Sequence, residues 1–364
     1  MRDQVGKVLL QLLSARMGRK AVEAELLPKY KLMICPPLSK DEKAAVCSRW
    51  DKLCPVKDFR SWEFFKVMTD FDPSFIPDDI FVRFIIRILN PIDKVYCLQN
   101  KGMYPFLYPN LNMPETRAVS IKGVIYRPDG EILDLKKLSG LLSFDHDYII
   151  KPSTDSCSGQ GVVKIHNSEE LANAVKSIGK DFVIQDCVEQ SNLTARFNQS
   201  SLNTFRINTL YLNGRVSTVN IMFRHGLNGS IVDNAGAGGV YSGMEPDGRF
   251  IGCSLDRNLK KYTHTPFGEK YADIVIPELK SLTEYAENAH KAHLPMMGHV
   301  AWDIALDKSN QPIVVEINLG WPGIMTEQLS SCRPIYRDRV EEVIEYAASR
   351  KNQLAFTDFL GHWT

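Results

Sequence analysis

The feature that most constrains the fold is a pair of apolar runs separated by a short polar segment, "GHVAWDIALDKSNQPIVVEINLGWPG", at residues 298–323. Two β-rich runs around the polar turn "KSNQ" predict an antiparallel hairpin. If Asp307 pairs with Pro312 across this turn, the register places Asp303 directly opposite Glu316. The chain must therefore build a sheet in which two carboxylates share one face of an otherwise apolar hairpin.

A third oxygen-bearing side chain joins this pair, because Asn318 lies two residues beyond Glu316 and shares its face. Two facing carboxylates repel each other unless a cation lies between them. Hard oxygen ligands without His or Cys favour Mg²⁺, so Asp303, Glu316 and Asn318 are predicted metal ligands. Alternation alone also produces solvent-facing acids on an ordinary amphipathic hairpin, and the hairpin by itself leaves both interpretations open.

A glycine-rich stretch, "KPSTDSCSGQG" at residues 151–161, is the second candidate site. It is not a P-loop, because Gly159 and Gly161 are followed by the strand-like "VVKI" rather than by a lysine that opens a helix. The pattern predicts a hairpin whose tip can place backbone N–H groups on phosphate oxygens, with Lys151 as a point charge at its base. An ordinary surface turn has the same composition and remains the alternative.

Composition and charge exclude several classes of protein. The chain has 364 residues, 44% of them hydrophobic, which is enough for two or three domains with cores of their own. Lys and Arg total 44 against 43 Asp and Glu, so we expect no nucleic-acid partner. The 8 cysteines form no CxxC pair and no zinc-like cluster, which predicts reduced thiols and a cytoplasmic location.

Local patterns divide the chain into a helical and a β-rich part. Residues 1–100 read as mainly helical, whereas short β-rich runs begin near Pro114, which together indicate an α+β architecture. The predicted strands are 118–126, 148–151, 161–165, 181–188, 204–212, 215–224, 298–307 and 311–319. The clearest predicted helices are 62–68, 80–89, 168–179 and 337–349.

The N-terminal stretch 5–27 has apolar residues at helical spacing with basic residues between them. We expect a helix that packs on its own domain, with peripheral contact to an anionic membrane as the alternative. No apolar run approaches the roughly 20 residues of a transmembrane helix, and we expect neither a transmembrane segment nor a signal peptide.

The order of these features resembles the ATP-grasp superfamily of carboxylate-amine ligases. A lysine and glycine-rich hairpin, then the apolar segment "VIQDCV", then a D…ExN hairpin, carry the resemblance over residues 95–330. It implies an α+β ATP-grasp fold, with two α+β subdomains clasping ATP after a mainly helical N-terminal region. The implied domains are 1–113 (helical), 114–190 (central subdomain with the phosphate lid) and 191–364 (C-terminal subdomain with the metal-binding hairpin and a terminal helix).

The resemblance also implies ATP and Mg²⁺ as cofactors and a role for particular residues. Arg206 and Lys151 would stabilise the transferring phosphate, residues 156–161 would form the lid, and "IQDCVEQ" would contact adenine and ribose. The implied metal ligands are again Asp303, Glu316 and Asn318. The implied nucleotide-binding residues are Lys101, Lys151, Ser156, Ser158, Gly159, Gly161, Gln185, Asp186, Val188, Glu189 and Asn234.

Within the superfamily, "DFDPSFIPDDIF" and "ILNPIDKVYCLQNKGMY" make the chain most similar to the sugar-transfer-associated ATP-grasp proteins. The implied activity is an ADP-forming ligase that activates a small carboxylate as an acyl phosphate and joins it to an amine. A sugar carboxylate in surface-polysaccharide synthesis is the implied acid. Two alternatives keep the nucleotide site: a kinase acting on a sugar or polyol hydroxyl, and a nucleotide-binding module without catalysis.

Overall fold

The N-terminal third of the chain is helical. The computed structural model describes residues 2–154, 161–227, 229, 230, 233, 236 and 238–359. The helix α3 begins with a capping box, in which Ser39 and Glu42 satisfy each other's backbone N–H groups. The helices of this part are α1 (Arg2–Ala21), α2 (Leu27–Tyr30), α3 (Lys40–Trp50), α4 (Arg60–Met68), α5 (Asp78–Ile80), α6 (Ile86–Leu89), α7 (Ile92–Leu98) and α8 (Tyr104–Leu107).

Two π-helical turns join helices of this region into longer continuous helical segments. Val22–Leu26 connects α1 to α2, and Phe81–Ile85 connects α5 to α6. The periodicity at 80–89 therefore belongs to one continuous helical segment, as the sequence predicts. One side of α1 packs against α5 and the second π-helical turn, which confirms a helix packed on its own fold.

The first sheet follows this helical region. In the described part of the chain it has six strands in the order β3-β2-β1-β6-β4-β5. The predicted run 118–126 forms two strands rather than one, because Lys122 and Gly123 adopt positive φ angles of 52° and 84° in a tight turn. The elements are β1 (Thr116–Ile121), β2 (Val124–Tyr126), β3 (Ile132–Leu133), α9 (Leu135–Leu141), β4 (Tyr148–Pro152), β5 (Val163–Ile165), α10 (Ser168–Ile178) and β6 (Phe182–Asp186).

The second sheet has seven strands within the described residues, in the order β11-β10-β9-β8-β7-β12-β13. Its central strands β7 and β12 are almost wholly buried, as their apolar runs predict. The elements are α11 (Asn192–Ala195), β7 (Thr204–Leu212), β8 (Arg215–His225), β9 (Val240–Gly243), β10 (Ser254–Leu255), β11 (Lys261–Tyr262), α12 (Leu279–His293), β12 (His299–Leu306), β13 (Pro312–Asn318), α13 (Met325–Ser331) and α14 (Val340–Arg350).

The two faces of the second sheet pack against different helices. Phe205, Ile207 and Trp302 face a core shared with α12. The opposite face carries Leu210 and Leu212 into a core that contains α14 and the N-terminal helices. The helical N-terminal region is therefore part of the layer that covers one side of this sheet.

The hairpin β12–β13 has the predicted pairing at its centre and a different one at its turn. Asp303 lies opposite Glu316, as the sequence predicts. The expected pairing of Asp307 with Pro312 is wrong, since Leu306 pairs with Pro312 instead. The two registers are reconciled by a bulge, in which Val315 is an extra residue between the paired positions.

Replacing Gly243 with Ala tests the contact between β9 and α13. A Cβ atom at this position would lie 2.2 Å from the carbonyl oxygen of Ser330, and both partners are backbone. We expect the free energy of unfolding to fall by about 1–3 kcal/mol, as for other overpacked sites. Urea titration measures this, with Gly140→Ala in α9 as a control, because nothing lies within 4 Å of its added methyl group. A Gly243→Ala protein as stable as the control would contradict the packing.

The predicted α+β class with a helical region before two sheets is confirmed. The domain limits 113/114 and 190/191 stay a prediction, since the two sheets only show that strands on either side of residue 190 belong to different layers. No helix in the described part of the chain has both the length and the apolarity that crossing a membrane requires.

Candidate functional site

A cavity of about 1850 Å³ lies between the two sheets. The first sheet contributes Ile149 and Lys151 to its lining, and the second contributes Arg206 and Glu316. A cavity of this size holds a ligand larger than a single small metabolite. The cleft between the sheets is thus the place where most of the predicted site residues meet.

A row of charged side chains crosses the second sheet beneath this cavity. Glu316 on β13 pairs with Asp303 on β12, and Asp303 pairs with Arg206 on β7. Residues paired directly across antiparallel strands have their side chains on one face, so these three side chains lie side by side. Arg224 on β8 belongs to the same face, because it is two residues from Met222, the partner of Arg206.

Asp303 is held between two arginines. Its carboxylate accepts hydrogen bonds from both Nε and Nη2 of Arg206, the latter at 3.0 Å, and its Oδ2 lies 2.9 Å from Nη2 of Arg224. Burial would raise the pKa of Asp303, but the two guanidinium groups outweigh it and lower the pKa to about 2. Asp303 is therefore ionised at any physiological pH.

Two buried lysines form the opposite side of the cavity. Nζ of Lys101 lies 2.8 Å from Oε1 of Glu316. Its backbone N–H donates to the carbonyl of Ser153 at 2.9 Å, which ties this segment to the end of β4, where Lys151 is located. Burial and then the neighbouring Lys101 lower the pKa of Lys151 to about 8, although Glu316 opposes this. Like charges held this close in a buried site favour an anionic ligand.

The three predicted metal ligands are neighbours in the structure. Nδ2 of Asn318 is 3.5 Å from Oδ2 of Asp303, and Glu316 faces Asp303 across the strand pair. The repulsion between the two carboxylates is relieved by protein cations, since the arginines bind Asp303 and Lys101 binds Glu316. The donor set still fits Mg²⁺, because it consists of oxygen ligands and Glu316 and Asn318 are only partly buried at the cavity.

No group of three or more His, Cys, Asp or Glu suited to a metal ion occurs among the residues that the structure describes. A divalent ion here would therefore depend on the Asn318 amide and on ligand oxygens in addition to the two carboxylates. Mg²⁺ commonly binds in this way, through one or two carboxylates and substrate phosphates.

The predicted adenine segment lines the cavity, but some of its groups already have partners. Nε2 of Gln185 donates to the Pro114 carbonyl at 3.2 Å. Asp186 forms a bidentate pair with Arg117, with both distances at 2.7 Å. Side-chain recognition of a base by these two residues would require new partners, so contact of adenine with the backbone of Gln185, Asp186 and Val188 stays the prediction.

Glu189, the predicted ribose ligand, is largely exposed at the cavity rim. Its Oε2 lies 3.0 Å from Nζ of Lys308, and both side chains are about 70% exposed, at 72% and 70%. A pair of this kind contributes little to stability and is easily rearranged by a ligand.

The glycine-rich stretch forms the predicted hairpin, because β4 and β5 pair in antiparallel fashion. Gly161 has a φ of 75° and a Cβ there would touch Pro152 at 2.9 Å, which explains the glycine. Ser156, Ser158 and Gly159, which were predicted to form the hairpin tip, lie outside the described residues. The same holds for Asn234 in the later glycine-rich loop.

Sequence reasoning did not single out Glu327, Tyr241, Glu25 or Lys29, all of which line the same cavity. Glu327 is fully buried at the start of α13, with Oε1 3.5 Å from Nη1 of Arg206. The sequence did indicate Arg224, because it lies two residues from Met222 and so shares a face of β8, the strand beside Arg206. For the other four residues the sequence gives no signal, because elements distant in sequence bring them to the site.

Comparisons with known proteins identify the class. The fold and the cavity between its two sheets are those of an ATP-grasp protein. The family model "Sugar-transfer associated ATP-grasp" matches residues 82–342, more than half of the chain. The chain therefore belongs to the sugar-transfer associated ATP-grasp family. A comparison with curated proteins by sequence found no match.

Solved structures resemble the chain only distantly. The L-amino acid ligase from Bacillus licheniformis has 16% identity and a TM-score of 0.38, over 68% of this chain and 50% of that chain. The D-alanine-D-alanine ligase from Coxiella burnetii has 13% identity and a TM-score of 0.42, over 72% and 60%. The D-alanyl-alanine synthetase A from Vibrio cholerae has 11% identity and a TM-score of 0.44, over 71% and 67%. The chain thus spans half to two thirds of these proteins.

Proposed function

We propose that the protein is an ATP-dependent carboxylate-amine ligase that forms ADP. The observation that carries this proposal is the charge arrangement in the cavity. Lys101 and Lys151 provide a buried cationic side, and Arg206 and Arg224 provide a second one next to it. Such groups bind phosphate oxygens and stabilise the charge that develops during phosphoryl transfer.

The proposed reaction has two steps and requires no protein nucleophile. A carboxylate oxygen of the substrate attacks the γ-phosphorus of ATP, and ADP leaves, which gives an acyl phosphate. The amine nitrogen then attacks the acyl carbon, a C–N bond forms and the C–O bond to phosphate breaks. Of the two protons that the ammonium group loses, one leaves with the phosphate and the other passes to solvent.

We assign the chain's own residues to these steps as follows. Lys101 and Lys151 hold the phosphates, and Arg206 stabilises the transferring group. Mg²⁺, when bound, would withdraw charge from the phosphate oxygens, and Asp303, Glu316 and Asn318 are the residues that would hold it. Asp303 also binds both arginines, so it would position them in addition to holding the metal.

The acid and the location are finer parts of the same proposal. The family's description associates it with sugar transfer, which supports a sugar carboxylate such as a uronic acid as the substrate. Scattered cysteines without a disulfide-like pattern support a reducing cytoplasm. The nucleotide is proposed to lie between residues of segments 114–190 and 191–364.

Hydroxylamine trapping tests the ligase chemistry. We expect the protein, supplied with Mg-ATP, hydroxylamine and pools of carboxylic acids that include uronic acids, to produce a hydroxamate together with ADP. Colorimetric detection of hydroxamate and chromatography of ADP and AMP measure the two products. Lys101→Met is the matched negative control, because it removes a phosphate contact at a buried position. ADP formed with a stable phosphoester and no hydroxamate would favour the kinase, and AMP would contradict the acyl phosphate.

A further inference from the structure

The N-terminal helices contribute a wall to the cavity. Glu25 and Lys29, from the π-helical turn after α1 and from α2, line the cavity together with Tyr241 of β9 and Glu327 of α13. We call Glu25, Tyr241 and Glu327 the acidic wall. Tyr241 pairs with Arg224 across β8 and β9, so the wall continues the charged row of the second sheet.

The groups of this wall are close enough to influence one another. Burial raises the pKa of the Tyr241 phenol, and the nearby Glu327, Asp256 and Glu25 raise it further. Burial raises the pKa of Glu327 as well, although Arg206 opposes this. Three elements that are distant in sequence therefore gather negative groups around one phenol.

The charges around the wall do not balance. Among the described residues, the arginines Arg206 and Arg224 are matched by Asp303 and by Asp233, whose Oδ2 is 3.6 Å from Nε of Arg224. Glu327 is a third carboxylate on the same two arginines, with Oε1 3.5 Å from Nη1 of Arg206. Outside this cluster, Lys29 pairs with Glu25 at 3.3 Å, and Arg257 also lines the cavity.

One carboxylate is thus in excess beside the cavity. The nearby Asp78 adds to it if it is ionised, but burial and the influence of Glu25 raise its pKa well above the usual range. The excess therefore does not depend on Asp78; burial also raises the pKa of Asp233 and of Glu327, and the arginines oppose this shift. A buried excess charge of this kind is costly unless an opposite charge joins it.

A second, independent feature points to a ligand. The hydroxyl of Tyr241 has no hydrogen-bond partner within the described part of the chain, and the residue is only 1% exposed. Buried polar atoms are nearly always hydrogen-bonded, and exceptions commonly mark the place of a water or a ligand. A ligand group beside Tyr241 and Glu327 would satisfy this hydroxyl.

We infer that the acidic wall binds the amine substrate as its ammonium ion, with Glu327 and Glu25 as its charge partners and Tyr241 as a hydrogen-bond partner. This inference rests on the proposed ligase function, because it assigns the second substrate of that reaction. An ammonium group neutralises the excess carboxylate, whereas a phosphate or carboxylate group would be repelled. The nucleophile would then enter from the side opposite the lysines, with the arginines between the two.

Ligand-observed NMR tests the site without any turnover. Saturation transfer is measured in the presence of Mg-ADP for ethanolamine against ethylene glycol and for glucosamine against glucose, so that each pair differs in one ammonium group. We expect the full-length protein to favour the ammonium member of each pair. Glu327→Gln and Glu25→Gln should each weaken that ligand by about tenfold, the value of one charge-assisted hydrogen bond. Glu23→Gln, an exposed position on the same helical turn, should leave it unchanged.

Several results would overturn the inference. These are no transfer to either amine, equal transfer to amine and hydroxyl members, and an ammonium preference that survives in both glutamine variants. Because Glu327 is fully buried, Glu25→Gln provides the test if Glu327→Gln fails to fold. Hydroxylamine is uncharged at neutral pH, so hydroxamate formation without an ammonium preference would keep the ligase and remove this site. An ammonium preference without hydroxamate would keep the site and remove the ligase.

Discussion

Replacing Asp303 with Asn is expected to unfold the protein at markedly lower denaturant and to abolish ATP turnover. The carboxylate binds Arg206 and Arg224, and its own side chain is 4% exposed. Removing one partner of a buried ion pair leaves charge without compensation, which costs about 3–5 kcal/mol. Urea unfolding followed by circular dichroism measures the stability, and ADP release measures the turnover.

Glu316→Gln is the informative comparison for this prediction. Its carboxylate pairs with the buried Lys101 but is itself 30% exposed and has one cationic partner instead of two, so we expect a smaller stability loss than for Asp303→Asn. Turnover should nevertheless be lost to the same extent if both residues hold the metal. Full activity of Glu316→Gln would remove it from the proposed metal ligands. Unchanged stability of Asp303→Asn would contradict a stabilising role for the contacts of Asp303 with Arg206 and Arg224.

Lys151→Met is expected to stabilise the fold while it removes nucleotide binding. The pKa of Lys151 is lowered from 10.5 to about 8, mainly by burial, so the folded state holds a proton less tightly than the unfolded state. At neutral pH this difference lowers the free energy of unfolding by roughly 3 kcal/mol. The methionine variant has no ionisable group here and avoids this cost. Unfolding of both proteins at pH 7 measures the gain, and calorimetry with Mg-ATP measures the loss of binding.

The sign of the pH dependence gives a second check. Between pH 8 and 10.5 the unfolded state binds more protons at this site, so the stability of the wild type rises with pH there and the advantage of Lys151→Met shrinks. ATP affinity of the wild type should fall over the same range, because Lys151 loses its charge. Lys176→Met, at an exposed position of α10, should change stability by less than about 0.5 kcal/mol at either pH. A constant difference across this range would contradict the lowered pKa.

The sequence predicts the central hairpin well because alternation over two apolar strands leaves few registers. Asp303 opposite Glu316 follows if Asp307 pairs with Pro312, and the structure has the central pairing although Leu306 pairs with Pro312 at the turn. The bulge at Val315 could not be foreseen, since an apolar residue in an apolar strand gives no sign that it lacks a partner. The bulge adds one residue to β13 and so offsets the one-residue error at the turn, which is why the central pairing is still the predicted one.

The cations around the carboxylates were the harder part to predict. The repulsion between Asp303 and Glu316 predicts a metal ion between them, yet Arg224 and Lys101 relieve much of this repulsion. Neither contact is visible in a local pattern, because β8 and the segment before α8 meet the hairpin only in the folded chain. The acidic wall was missed for the same reason, as Glu25 and Glu327 are far apart in sequence.

The acidic wall combines residues from inside and outside the region that matches the family. The family match begins at residue 82, whereas Glu25 and Lys29 precede it. On the proposed assignment, the leading helical segment supplies Glu25, and the matched region supplies Tyr241 and Glu327 together with the residues proposed for the phosphates. Exchanging the leading segment between family members would then change one side of the acceptor site and leave the phosphate-binding residues unchanged.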